Sequence, residues 1–205
     1  MKNLILLASF IIILPFSSLG QKFPTMSVGE QLADSELNYS MESVYNQKHS
    51  LAQHFNKKGL VLVFTSNTCP FVVAWEDRYE IIEEMCKKYD FDMLYINSNH
   101  NKRGDDDSFL AMQTHAKLMT YSFPYLLDEK SQLANALGAK TTPHIFMFSN
   151  TMELVYEGAI DDNYSSAKEV DRFYLKDAIV SFSEGNEISV PKTKAVGCSI
   201  KRYNP

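Results

Sequence analysis

The chain is poor in the residues that would mark several functional classes. Its 205 residues carry only three cysteines, Cys69, Cys86 and Cys198, too few for a disulfide-built scaffold. No second cysteine stands three residues from Cys69, where Ser66 and Val72 are found, so the close-spaced C-x-x-C dithiol is absent. There is no dense Lys/Arg stripe, and the formal net charge is −5. That weighs against nucleic acid and anionic membrane surfaces as partners. His49, His54, His100, His115 and His144 are scattered with no pair at metal-ligand spacing, so neither a metal nor a cofactor is implied. Internal repeats and low-complexity segments are missing as well.

What is present begins with the N-terminus, MKNLILLASFIIILPFSSLGQ. One lysine, an apolar run from Leu4 to Phe16 and then the small residues Ser17, Ser18 and Gly20 follow the order of a secretory signal. The run is short of the ~20 apolar residues that span a bilayer, though an uncleaved anchor is the alternative. Residues 1–20 are therefore expected to be a signal peptide, with the mature chain starting at Gln21 and the protein periplasmic or secreted. Outside the cytoplasm disulfides persist, and three cysteines permit one bridge and one free thiol. The 45% apolar composition is enough to bury a core in one domain, placed at residues 21–185. A tail over residues 186–205 carries Cys198.

Hydrophobic patterning sets the elements. Phe23 to Asn38 is polar and irregular, an arm across the domain. Met41, Ser43 and Tyr45 suit a short strand, and Ser50 to Phe55 a helical turn. Leu60 to Phe64 is a continuous apolar run and reads as a buried central strand. Pro70 opens a helix, because proline is tolerated where its missing N–H has no partner. Trp75, Tyr79, Ile82, Cys86 and Tyr89 recur at helical spacing to its end near Tyr89. Phe91 to Ile96 is a second buried strand, and the long crossover makes the pair parallel and right-handed. Asp105 to Asp107 reads as a solvated loop capping a helix from Ser108 to Met119. A short helix runs from Gln132 to Leu137 and stops at Gly138. TTPHIFMF and ELVYEGAID form an antiparallel pair, and an amphipathic helix spans Lys168 to Ser183.

A βαβ unit, a helix, a hairpin and a terminal helix is the order of a thioredoxin-like α/β fold, a central mixed sheet flanked by helices. That order puts Cys69 at the end of a strand and the start of a helix, with Thr68 and Pro70 beside it. Free N–H groups at a helix N-terminus carry partial positive charge and stabilise a thiolate, which makes a nucleophile at neutral pH. Read alone, Cys69 is also compatible with a small buried hydrophobe. Pro143, after Thr142 and before an apolar strand, is a candidate cis residue. It would set the Thr142 backbone beside the sulfur.

The segments LVLVFTSNTCPFV, AWEDR, INSN, DDSFLAM, PYLLDE, TPHIF, LVYEGAIDDN and AVGCSIK occur in this order. With them the chain resembles the peroxiredoxin-like, redoxin-domain branch of the thioredoxin superfamily, the AhpC/TSA group. The resemblance runs from about Ser27 to Lys201 and implies thiol-dependent redox activity. Departures bear on the site. Many relatives have a cysteine where Ser66 stands, and the P-x-x-x-T-x-x-C pattern of peroxiredoxins here has Leu62 for the proline and Ser66 for the threonine. The Ser66 hydroxyl is still able to bond the sulfur or a peroxide oxygen. Arg78 is the nearest match to the peroxidatic arginine. Val63 stands where thioredoxin has a buried aspartate, and Arg202 where relatives have an aromatic residue.

A rigid helix carries Cys86 some 25 Å along its axis from Cys69 at ~1.5 Å per residue. Disulfide Cα atoms must come within about 7 Å, so Cys86 is a core residue. Cys198, next to Gly197 in an adaptable tail, is the candidate resolving or bridging thiol. Asp161 and Asp162 are candidates to contact substrate, as are Thr68, Pro70 and Thr142. The expectation is an exported thiol oxidoreductase with Cys69 as nucleophile, acting on peroxides or protein disulfides and recycled by a thiol reductant. The alternative is a thioredoxin-fold binding module for a partner protein or copper, or a relative whose thiols are permanently bridged.

Overall fold

The computed structural model describes residues 23–204; the expected signal peptide and the start at Gln21 lie outside them. At its centre is β3 (Gly59–Thr65), buried along its whole length. Strand alternation sends Leu60, Leu62 and Phe64 to one face and Val61 and Val63 to the other. Each fully buried side chain of this kind stabilises the fold by ~1.5–3 kcal/mol, so a charge at Leu62 or Val63 would break the domain. β3 pairs in parallel with β4 (Phe91–Asn97) and antiparallel with β7 (His144–Ser149). Outside β4 lies β5 (Tyr125–Leu127), parallel, then β1 (Met41–Ser43) and β2 (Lys48–His49), antiparallel. β8 (Leu154–Gly158) closes the other side. The seven-stranded mixed sheet thus has the order β2-β1-β5-β4-β3-β7-β8.

Helices cover both faces. α2 (Pro70–Tyr89) turns Trp75, Tyr79, Ile82 and Cys86 inward beside Leu175 and Ile179 of α5 (Tyr174–Ser183) and Met112 of α3 (Phe109–Leu118). α4 (Gln132–Leu137) covers the opposite face with Leu133 and Leu137. It ends at Gly138, whose φ of +63° needs a residue without Cβ strain. Among the described residues no helix is long and apolar enough to cross a membrane.

Three expectations change. The terminal helix starts at Tyr174 rather than Lys168. Ala167–Glu169 form a separate 3₁₀ turn that ends in the extended Val170; beyond it the Asp171 N–H donates to Asp162 Oδ1 at 3.1 Å and the Asp162 N–H to Arg172 O at 3.2 Å, which keeps this turn from joining the helix. The N-terminal arm includes one helical turn, α1 (Asp34–Leu37), and runs along β8, with Gly29 and Glu30 exchanging backbone bonds with Leu154 at 2.8 Å each. His49 and His54 are not scattered: their rings stack 5.3 Å apart, and His54 Nδ1 meets Asp92 Oδ2 at 2.7 Å.

Candidate functional site

Cys69 is the N-cap of α2, in extended conformation, with Pro70 at the first helical position. Its thiol donates to Thr142 O at 3.0 Å. Thr142 ends the short strand β6 (Thr141–Thr142), and the Thr142–Pro143 peptide is cis. Cys69 is 6% exposed, flanked by the exposed Thr68 and Pro70. Burial opposes ionisation of its thiol. Hydrogen bonds from the Cys198 and Thr142 side chains and from the N–H groups of Val72 and Cys198 outweigh it and hold the thiol below the ordinary cysteine value. The Thr142 hydroxyl is buried and otherwise without a partner.

Cys198 reaches this place through backbone pairing. It begins β9 (Cys198–Ser199), which runs antiparallel to β6 with Cys198 opposite Thr142 and Ser199 opposite Thr141. Both thiols are free. Cys198 is pushed up to about 11, by burial first, then by giving its hydrogen bond to Cys69 and by the charge on that sulfur. The pair is thus asymmetric, the Cys69 thiol held below the ordinary cysteine value and the Cys198 thiol above it. The tail is not loose, as the sequence suggested, but fastened to the domain. Cys86 is fully buried on α2, as a core residue, and burial pushes its thiol upward.

The loop before Cys69 rests on a buried polar network. Asp107, read from the sequence as part of a solvated acidic loop, is 1% exposed. Its carboxylate accepts the Asn67 N–H at 2.9 Å and the Asn97 and Asn99 amides at 2.8 Å each. Tyr125 donates to Asn67 Oδ1 at 2.9 Å, and Arg103 Nη1 donates to Asn97 Oδ1 at 2.7 Å. Only Asp105 and Asp106 face solvent. Ser66 is buried, and its hydroxyl accepts the Thr68 N–H at 3.4 Å; it makes no hydrogen bond to the sulfur.

Other expected site residues are engaged elsewhere. Asp161 is buried, accepting from Trp75 Nε1 at 2.8 Å and from the Asn163 N–H at 3.0 Å, with Arg78 Nε 3.3 Å away. Arg78 also donates to Ala74 O at 2.6 Å, Asp77 Oδ1 at 2.7 Å and Asn163 O at 2.7 Å. These contacts clamp the 161–163 loop to α2. Asp162 is exposed and turned to Asp171, so neither carboxylate hydrogen-bonds a cysteine. His144 accepts the Lys140 N–H on Nδ1 at 3.0 Å and so presents Nε2–H to Glu157 Oε1 at 2.7 Å; burial keeps it neutral. Among the described residues no three His, Cys, Asp or Glu side chains gather as a metal site. Asp107 and the Glu157–Lys192 pair, at 3.3 Å, escaped the sequence reading.

With this geometry in hand, a model of the AhpC/TSA family matches residues 28–157. The match includes Cys69 and Pro143 and ends before Cys198. No curated protein matches the chain. Among solved structures, a hypothetical protein from Sinorhizobium meliloti 1021 superposes with a TM-score of 0.78 at 26% identity, over 89% of this chain and 98% of that one. An uncharacterized conserved protein from Geobacillus kaustophilus gives 0.76 at 25% identity, over 89% and 94%. The peroxidoxin BcpB from Mycobacterium tuberculosis gives 0.58 at 13% identity, over 78% and 97%, a likeness of fold.

Proposed function

The chain belongs to the AhpC/TSA family of thiol-dependent, redoxin-type oxidoreductases, and from that premise we propose that it exchanges disulfides through Cys69, with Cys198 as the resolving thiol. The observation that carries this reading is the placement of the two free thiols about Thr142 at the N-terminus of α2: the Cys69 thiol donates to Thr142 O and Cys198 is its cross-strand partner, with Cys69 held below the ordinary cysteine value and Cys198 above it. The Cys69 thiolate attacks one sulfur of a substrate disulfide; a mixed disulfide forms and the other substrate sulfur leaves as a thiolate. Cys198 then attacks the Cys69 sulfur and gives up its proton to the departing second thiolate. The products are a reduced substrate and a Cys69–Cys198 bridge, two electrons having passed to the substrate. An external thiol reductant reopens the bridge.

Hydroperoxide reduction is the second reading, favoured by the family match. There Cys69 takes the terminal oxygen, an alcohol leaves, and Cys198 condenses with the sulfenic acid as water departs. Of the groups expected to polarise the peroxide, Arg78 is committed to Ala74, Asp77 and Asn163, and Ser66 accepts the Thr68 N–H and makes no bond to the sulfur. Disulfide exchange is therefore preferred. Turnover of a protein disulfide and of an alkyl hydroperoxide, each coupled to a thiol reductant, is compared for wild type, Cys69→Ser and Cys198→Ser. Disulfide turnover lost in Cys69→Ser supports the reading; turnover confined to hydroperoxide moves it to the second. The site of action is proposed to be outside the cytoplasm, on the strength of the Met1–Gly20 pattern. Recovery from the periplasm or medium of a chain starting at Gln21 is the expected result, and a cytoplasmic chain starting at Met1 contradicts it.

A further inference from the structure

The edge of β6 lies beside the Cys69 sulfur, and the chain's own C-terminus occupies it. β9 pairs with it through two residues. The Ile200 N–H then donates to Lys140 O at 3.0 Å, and the Ile200 side chain enters the core. Lys201 gives its N–H to Asn99 Oδ1 at 2.8 Å and takes the Asn101 N–H at 3.0 Å. The Arg202 guanidinium donates to Asn135 Oδ1 and Ala139 O. Upstream, Glu157 brackets the chain: its N–H donates to Pro191 O at 3.0 Å and its carbonyl accepts the Thr193 N–H at 2.9 Å. Between these anchors, Lys194 to Gly197 make no backbone hydrogen bond with the other described residues. Gly197 lies flush on the edge, since a Cβ there would stand 2.2 Å from Thr142 O.

The geometry points to residues 197–202 as a displaceable strap, and to the edge it covers as a docking strand for an extended, cysteine-bearing segment of a partner protein. Strand edges recruit extended chains through backbone hydrogen bonds. β9 is such a chain, with its cysteine set opposite Thr142, so the edge already shows the register a partner takes. A two-residue ladder between an unpaired hinge and a few anchors opens by local unfolding while the seven-stranded sheet stays intact. With the strap closed, only small reagents reach the buried sulfur. With it open, the partner's disulfide lies along β6 in place of Cys198. A bond forms from the Cys69 sulfur to the facing sulfur as the partner's S–S bond breaks, and the second partner sulfur leaves as a thiolate and takes a proton from water. This inference rests on the exchange reading and adds to it the class of partner and the gate.

Its test uses the Cys198→Ser background, so that Cys69 is the thiol followed at the site. Modification of Cys69 is timed with iodoacetamide and with an extended peptide whose central cysteine is in a mixed disulfide with a small thiol. The strap is loosened in two independent ways, by Gly197→Val and by Arg202→Ala. In either variant the peptide reaction should rise about tenfold, as follows from weakening closure by ~1.4 kcal/mol, while the iodoacetamide rate changes by less than about twofold. Circular dichroism checks the fold, and Arg202→Ala carries the test if Gly197→Val does not fold. A peptide rate unmoved by strap loosening, with iodoacetamide reacting normally, overturns the strap and leaves the exchange reading standing. A Cys69 inert to both probes with the strap loosened overturns the exchange reading instead.

Discussion

Replacing Thr142 by valine removes one hydroxyl and almost no volume. In the thiol state that hydroxyl is buried without a partner, an arrangement that costs ~1–3 kcal/mol by mutational measures. Its role is as a donor to the Cys69 thiolate, where it stands among the bonds that hold the sulfur below the ordinary value against burial. A hydrogen bond to a charged group contributes ~1.5–3 kcal/mol. Below the titration midpoint of Cys69, Thr142→Val should therefore cut the thiolate fraction, and the alkylation rate with it, about tenfold or more. Stability in the thiol state should stay unchanged or rise by ~1 kcal/mol. The sign follows from proton binding. A thiol lowered by folding binds fewer protons in the folded chain than in the unfolded one between its folded value and the ordinary 9.0. Stability grows as pH rises through that window and is lost as pH falls through the folded value; valine narrows the window. Iodoacetamide rates against pH, with the Cys69 peptide quantified by mass, and urea unfolding across the same range read both effects. An unmoved midpoint, or a loss of stability at low pH, refutes this role for Thr142.

Cys198→Ser should flatten the alkaline loss of stability. A thiol raised to about 11 by folding binds more protons when folded, so its contribution is lost between pH 9.0 and about 11; urea midpoints across that range for the two proteins measure it. Asp107→Ala should destabilise by at least ~1–3 kcal/mol, since it leaves the buried Asn67 N–H and the Asn97 and Asn99 amides without their acceptor, read by chemical denaturation. A surface role for Asp107 would leave the midpoint in place. The native reduced protein should titrate two thiols and the unfolded protein three, because Cys86 is fully buried; Cys86→Ala should leave disulfide turnover intact and cost ~1 kcal/mol of stability.

The central elements were legible because their signals are local. Leu60 to Phe64 is apolar at every position, and the Trp75, Tyr79, Ile82, Cys86 series repeats at helical spacing, so β3 and α2 follow from the chain itself. The position of Cys69 at their junction came with them. What escaped depends on partners distant in sequence. Asp107 looks like its exposed neighbours until Asn67, Asn97 and Asn99 converge on it. Arg78 and Glu83 sit on the polar part of the α2 pattern yet are buried, drawn in by Asp161 for one and by Tyr95 and Ser122 for the other. β9 is two residues held by backbone bonds, which no side-chain period announces. The start of α5 was misplaced because Lys168 and Glu169 form a separate 3₁₀ turn, cut off from α5 by residues that bond to Asp162.

The most direct test is peptide mapping of the thiols before and after one equivalent of oxidant, with mild reductant added last. The account expects a Cys69–Cys198 bridge that appears on oxidation, opens again under the reductant, and leaves Cys86 free throughout. A Cys69 that stays reduced, or a bridge that no reductant opens, would contradict it.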